Sequence, residues 1–151
     1  MIDKRFIGMN IGSHEVQLEK GALKFFATAI GQENPVYFDE KAAEEAGYPG
    51  LPAPPSYYFS LDLLQDEPFK YLDTLGVNLN HVLHGAQDFE YFKPAFAGDT
   101  VVIKAKIIDL FDKKNGALDF IIKEVRVENT EGELLVKQIM TIIVRNPEGG
   151  A

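Results

Sequence analysis

The chain has 151 residues, 46% hydrophobic and 25% charged, a composition that predicts one globular domain spanning residues 1–151 and buried well enough to have a real core. Its formal net charge of −8 argues against nucleic-acid binding by bulk electrostatics. The absence of cysteine excludes a disulfide framework, a thiolate nucleophile and a cysteine-ligated metal.

Residues 1–12 read as a loop or extended arm, with no apolar run before the first charges and so no secretory leader. A cytoplasmic protein is expected. Val16 and Leu18 alternate with Glu15, Gln17 and Glu19 as in a short edge strand. Glu19 to Ile30 reads as a helix, because Leu23, Phe26, Ala27 and Ile30 recur at helical spacing and Gly31 can close it. Gln32 to Phe38 is a loop, and Asp39 caps a second helix that stops at Gly47.

Pro49, Pro52, Pro54 and Pro55 stiffen the next loop. The run behind it is apolar on most faces: Tyr57, Tyr58, Phe59, Leu61, Leu63 and Leu64. Such a helix is buried, and it is too short to span a membrane, which takes about 20 residues. A long central helix from Pro55 to Gln65 is expected there. Asp66 to Gly76 reads as a helical excursion on the surface.

From Leu83 the period becomes two. A strand runs to Pro94. A second, Val101 to Asp112, places Val101, Ile103, Ala105 and Ile107 on one face. Asn115-Gly116 marks a hairpin. Ala117–Asn129 and Glu133–Arg145 complete the set, and the tail after Asn146 is expected to fray. The fold class is α+β: a single domain whose antiparallel sheet wraps around a central helix.

Three segments resemble the MaoC-like hydratase/dehydratase family, and in particular its N-terminal MaoC-like dehydratase subfamily. Ile30 to Asp39, IGQENPVYFD, is similar to the hydratase loop G-D-x-N-P-x-H-x-D. Phe92 to Thr100, FKPAFAGDT, resembles the turn F-x-x-P-V-x-x-G-D-T. Gly47 to Pro55 with its apolar helix, together with Leu83-His84-Gly85-Ala86-Gln87, completes the likeness. The resemblance implies a hot-dog fold and chemistry on acyl thioesters. Members hydrate a trans-2-enoyl thioester or dehydrate the (3R)-hydroxyacyl form. An Asp and a His of the loop handle the water, and a backbone N–H at the helix start holds the thioester oxygen.

At those points this sequence departs from the pattern. Gln32 stands for the catalytic Asp, and an amide is no general base. Tyr37 stands for the His, and a phenol titrates near pH 10. Pro55 replaces the residue whose N–H would meet the oxyanion, a loss that costs about 10²–10³ in rate. No catalytic residue is therefore assigned. His84 and Glu33 remain as fallback candidates, His84 more often being a pocket-lining residue and Glu33 a solvated loop carboxylate.

The resemblance implies substrate contacts at Asn34, Tyr37, Ser56, Tyr57, Tyr58, His84 and Gln87, with free N–H groups at Ser56, Tyr57 and Tyr58 near the mouth. His14 and His81 read as surface residues, and no metal site is expected. No cofactor is implied beyond the CoA or acyl-carrier-protein phosphopantetheine that the substrate carries. The expected partner is a second hot-dog unit, either this chain in a homodimer or a catalytic MaoC-like subunit in a heterodimer, with neither nucleic acid nor membrane. The alternatives are a homodimeric acyl-CoA thioesterase, for which Glu33, Asp39 and Asp62 are the nearby carboxylates, and a non-enzymatic acyl-thioester binder.

Overall fold

Residues 1–146 are described by a computed structural model; the expectation for the tail from Pro147 lies outside the described residues. Strands β1 (Asn10–Gln17), β2 (Val82–Tyr91), β3 (Thr100–Lys113), β4 (Leu118–Asn129) and β5 (Leu134–Arg145) form one antiparallel sheet in the order β1-β3-β4-β5-β2. The helices α1 (Lys20–Ala29), α2 (Glu40–Glu45), α3 (Tyr58–Leu61) and α4 (Lys70–Thr74) are all short. None is long and apolar enough to cross a membrane.

The inward face of β3 carries Val101, Ile103, Ala105 and Ile107, all buried as the alternation predicts. A bulge between Ile107 and Asp109 resets the phase, so that Leu110 is buried too. The β3–β4 hairpin turns through Lys114, Asn115 and Gly116, each at positive φ. Gly31 likewise takes φ +70° and its N–H bonds the Thr28 carbonyl, ending α1 where expected.

Several expectations need correction. The N-terminal segment is not a free arm: Lys4–Phe6 form a 3-10 turn, β1 begins at Asn10, and Ile2, Phe6 and Met9 pack on the core. The strict alternation read along β2 is broken by a bulge between His84 and Ala86.

The long central helix is instead a 3-10 turn, Pro55–Tyr57, followed by the four residues of α3. Proline fixes its start. It ends at Asp62, whose side chain pairs with Lys123 of β4. The Gln65 side chain donates to the Asp62 carbonyl at 2.7 Å, and Leu63 and Leu64 close the turn with tight bonds to Ser60 and Leu61. Leu64 is consequently exposed, against the all-round burial expected of it.

Asp66–Gly76 is not a surface excursion. Tyr71, Leu72 and Leu75 are buried, and with Val77 they cover Ile107, Ile121 and Ile142 of the sheet. Two core clusters result, one under α1 and α3 and one under α4. Each fully buried aliphatic side chain in them contributes roughly 1.5–3 kcal/mol.

Candidate functional site

The loop after α1 is held by its own amides. Gln32 Oε1 accepts the N–H groups of Glu33 and Asn34, both at 3.1 Å. Asn34 Oδ1 accepts the Val36 N–H at 3.2 Å, starting the 3-10 turn Pro35–Tyr37. The Gln32 oxygen is therefore engaged in shaping the loop. Glu33 is exposed.

Tyr37 is half-buried and lines a cavity of about 230 Å³ with Tyr48, Pro52, Pro55, Tyr58 and Tyr91. Burial, and then Tyr48 beside it, push its phenol above the ordinary value of 10.0. Tyr91 Oη donates to the Pro55 carbonyl at 2.8 Å, and Tyr58 Oη accepts the Ala95 N–H at 3.0 Å. Tyr57 points inward and meets Phe26 edge-on, with ring centres 5.2 Å apart.

The expected row of free donors is reduced. The Tyr57 N–H bonds the Pro54 carbonyl at 2.9 Å and the Tyr58 N–H turns to the Ser56 carbonyl. Ser56 itself is exposed. A four-residue helix also supplies little macrodipole.

His84 and Gln87 do not join this cavity. Seven residues of extended β2 separate His84 from Tyr91, roughly 23 Å at about 3.3 Å per residue. His84 stacks on Phe59, ring centres 5.2 Å apart and planes within 12°, and its Nε2 donates to Gln87 Oε1 at 3.2 Å. Gln87 Nε2 donates to Gln138 Oε1 at 2.9 Å, and Gln138 Nε2 to the Tyr58 carbonyl at 3.0 Å. This chain of amides links the sheet edge to α3 through Gln138, which is 1% exposed. Of the sequence-predicted residues, Tyr37 and Tyr58 share the first cavity, whereas His84 and Gln87 stand apart and reach Tyr58 only through Gln138.

His84 lines a second cavity of about 200 Å³, between α3, the α4 segment and the inner sheet face. Its wall includes Asp62 and Lys123, whose side chains are 3% and 2% exposed and paired at 2.5 Å. The Lys123 ammonium also sits 4.7 Å from the centre of the Tyr71 ring. Sequence reasoning missed this pair, yet a signal was present: Lys123 occupies an inward-phased position of β4, between Ile121 and Val125.

Asp62 is therefore committed to Lys123, and Asp39 caps α2 by accepting the Lys41 N–H at 2.9 Å. His14 is not a free surface residue, since its Nε2 donates to the Leu61 carbonyl at 2.8 Å and ties β1 to α3. Among the described residues no group of three His, Cys, Asp or Glu could hold a metal ion.

A family model described as FAS1-like, dehydratase domain region, matches residues 5–138. A UPF0336 protein of Streptomyces avermitilis is 31% identical, over 99% of this chain and 99% of its own. Another, of Tropheryma whipplei, is 33% identical over 80% of this chain and 84% of its own. Among solved structures, the C-terminally truncated HadBC (3R-hydroxyacyl-ACP dehydratase) complex of Mycobacterium tuberculosis matches with a TM-score of 0.76 at 23% identity, covering 91% of this chain and 96% of that one. The ChsH1–ChsH2 complex of the same organism matches with a TM-score of 0.74 at 20% identity, covering 93% and 90%. The (R)-hydratase from A. caviae involved in PHA biosynthesis matches at 0.67 and 19%, covering 90% and 94%. At these identities the likeness is one of fold, that of a single hot-dog domain.

Proposed function

The chain belongs to the FAS1-like dehydratase-region family, with a MaoC-like hot-dog fold, and from that premise we propose that it is the substrate-binding, catalytically degenerate half of an R-specific enoyl-thioester hydratase or (3R)-hydroxyacyl-thioester dehydratase. A second hot-dog subunit with an intact Asp/His pair supplies the proton transfer. The observation that carries this reading is the commitment of each would-be catalytic position to structure. Gln32 spends its oxygen on two loop N–H groups, burial pushes the Tyr37 phenol still further above its ordinary value of 10.0, and Pro55 has no N–H to give.

The division of labour follows from the chemistry. Hydration needs a base to take a proton from water and a donor for the thioester oxygen. This chain offers no general base at the Tyr37 cavity and no backbone N–H at Pro55, but it offers walls: aromatic rings and a stiff proline loop. The partner's place is supported by β2, an edge strand whose outer side pairs with no other strand among the described residues and which carries exposed Leu83 and Tyr91. Pairing two such edges would join two sheets. Two of the similar folds belong to complexes named for two components. A thioesterase reading loses Asp62 and Asp39 as free carboxylates, leaving Glu33.

The test is co-expression with a catalytic MaoC-like subunit, followed by an enoyl-thioester hydration assay on CoA and acyl-carrier-protein substrates. The expected result is hydration by the pair and little or none by this chain alone. A robust rate from the isolated protein, lost in His84→Ala or Glu33→Gln, would show that catalysis has moved within this chain.

A further inference from the structure

The outer face of the sheet, turned away from α3 and from both cavities, carries a row of like charges. Lys104 of β3 lies directly opposite Arg126 of β4, and Arg126 directly opposite Lys137 of β5. Their strand neighbours Ile103, Ala105, Val125, Val127 and Val136 are buried, so by period the three cations point outward. Residues paired in this way stand roughly 4.5–5.5 Å apart at Cβ, where like charges are destabilising. At the end of the row Lys137 meets Glu90 of β2 at 2.6 Å. Lys104 and Arg126 have to share Glu128, whose Oε2 is 2.5 Å from Lys104 Nζ and whose Oε1 is 3.3 Å from Arg126 Nε.

Beside this row lies an open pocket of about 460 Å³, lined by Asn10, Ser13, Lys104, Lys106, Glu124 and Arg126. Its volume is in the range of small-molecule sites, about 300–1,000 Å³. The β1 wall supplies amide and hydroxyl groups but no charge. Lys106 pairs with Glu124 at 3.4 Å. With Glu128 included, the cations Lys104, Lys106 and Arg126 face two carboxylates. One positive charge is left in excess, in a chain whose formal net charge is −8. Arg126 also has donors to spare. A guanidinium carries five N–H bonds, and among the described residues only the one on Nε has an acceptor.

We propose that this pocket takes a small molecule by its diphosphate group, with the Arg126 fork on one phosphoryl unit and Lys104 and Lys106 along both. The anion would relieve the repulsion in the row and use the guanidinium donors that the protein leaves unpaired. Two residues of strand set Lys106 roughly 6.6 Å beyond Lys104, a span that suits two linked phosphoryl units better than one. A carboxylate brings a single charge and two oxygens to the same cations. The strongly negative chain disfavours a long polyanion such as a nucleic acid, so the ligand is small. The site lies on the opposite face of the sheet from the Tyr37 and His84 cavities, and it does not rest on the function proposed above.

The experiment is calorimetric titration of the full chain with inorganic pyrophosphate, inorganic phosphate and succinate, near neutral pH and at one ionic strength. The expected result is saturable binding of pyrophosphate, roughly tenfold or more tighter than either of the others. Arg126→Gln should weaken pyrophosphate binding by roughly tenfold or more, the scale of one hydrogen bond to a charged group. Lys41→Gln, which removes the same charge from an exposed position on α2, should leave it unchanged. No saturable binding, equal affinity for phosphate or succinate, or an equal loss in Lys41→Gln and Arg126→Gln would each overturn the assignment. Lys104→Gln replaces Arg126→Gln if that variant fails to fold, and the comparison of the three anions on the native chain needs neither.

Discussion

Replacing Lys123 alone by Met leaves the Asp62 carboxylate in the core without its counter-ion. The two side chains are only 2% and 3% exposed, so solvent does not screen the pair, and the small values typical of surface ion pairs do not apply. Breaking a buried pair from one side costs about 3–5 kcal/mol, a large part of the 5–15 kcal/mol that typically holds a domain together. For a domain of this length about 1 kcal/mol moves Tm by roughly 2–4 °C, so Lys123→Met should lower Tm by roughly 6–20 °C. The double variant Asp62→Leu, Lys123→Met removes both charges and should sit near or above the native Tm. Urea denaturation and thermal scans of the native chain, both singles and the double form a complete cycle. If Lys123→Met melted within a degree or two of the native chain, or the double variant fell as far as the singles, the reasoning about burial would be refuted.

Three further expectations concern other parts of the molecule. Gly85→Ala should destabilise by about 1–3 kcal/mol, because a Cβ there would lie 2.8 Å from Ile143 Cδ1 and 3.1 Å from the Thr141 carbonyl oxygen; an unchanged urea midpoint would show that the β2 bulge yields freely. Ser56→Trp should leave the fold intact, since Ser56 is exposed, yet in a reconstituted heterodimer raise KM more than it lowers kcat; unchanged ligand affinity would remove Ser56 from the substrate's path. Lys104, hydrogen-bonded at 2.5 Å, holds the Glu128 carboxyl below its ordinary value of 4.5; burial opposes the shift and Arg126, a second hydrogen-bond partner, adds to it. Because that value is depressed in the fold, its stabilisation is present above pH 4.5 and is lost as pH falls below it. Glu128→Gln should therefore flatten the acid limb of the stability curve, and an unaltered limb would mean that other groups set it.

How much of this was legible beforehand depended on whether the signal was local. Val101, Ile103, Ala105 and Ile107 declared their face by period alone, and Asn115-Gly116 declared its turn by backbone chemistry. The hydratase-like loop could be aligned residue by residue, so its departures at Gln32, Tyr37 and Pro55 were visible at once. Not visible was that Asp62 would pair with Lys123, because the two meet only when β4 folds over α3. The same reason hid the burial of Tyr71, Leu72 and Leu75: three apolar residues near a proline look like a surface turn until a sheet is found beneath them. The link from His84 through Gln87 and Gln138 to Tyr58 depends on the register between β2 and β5, which no single segment encodes.

The strand order has a kinetic consequence. β3, β4 and β5 follow one another in sequence and pair with their neighbours through short turns, so that meander can form with little loop-closure entropy. β1 must instead find β3 across most of the chain, Asn10 opposite Lys106, and such distant pairings are slow to close. The meander is thus the natural nucleus and β1 the late arrival, pinned at the end by the bond from His14 to the Leu61 carbonyl. Native-state hydrogen exchange would read this as two tiers, with the β4 amides opening only on global unfolding and the β1 amides released by a cheaper, partial one.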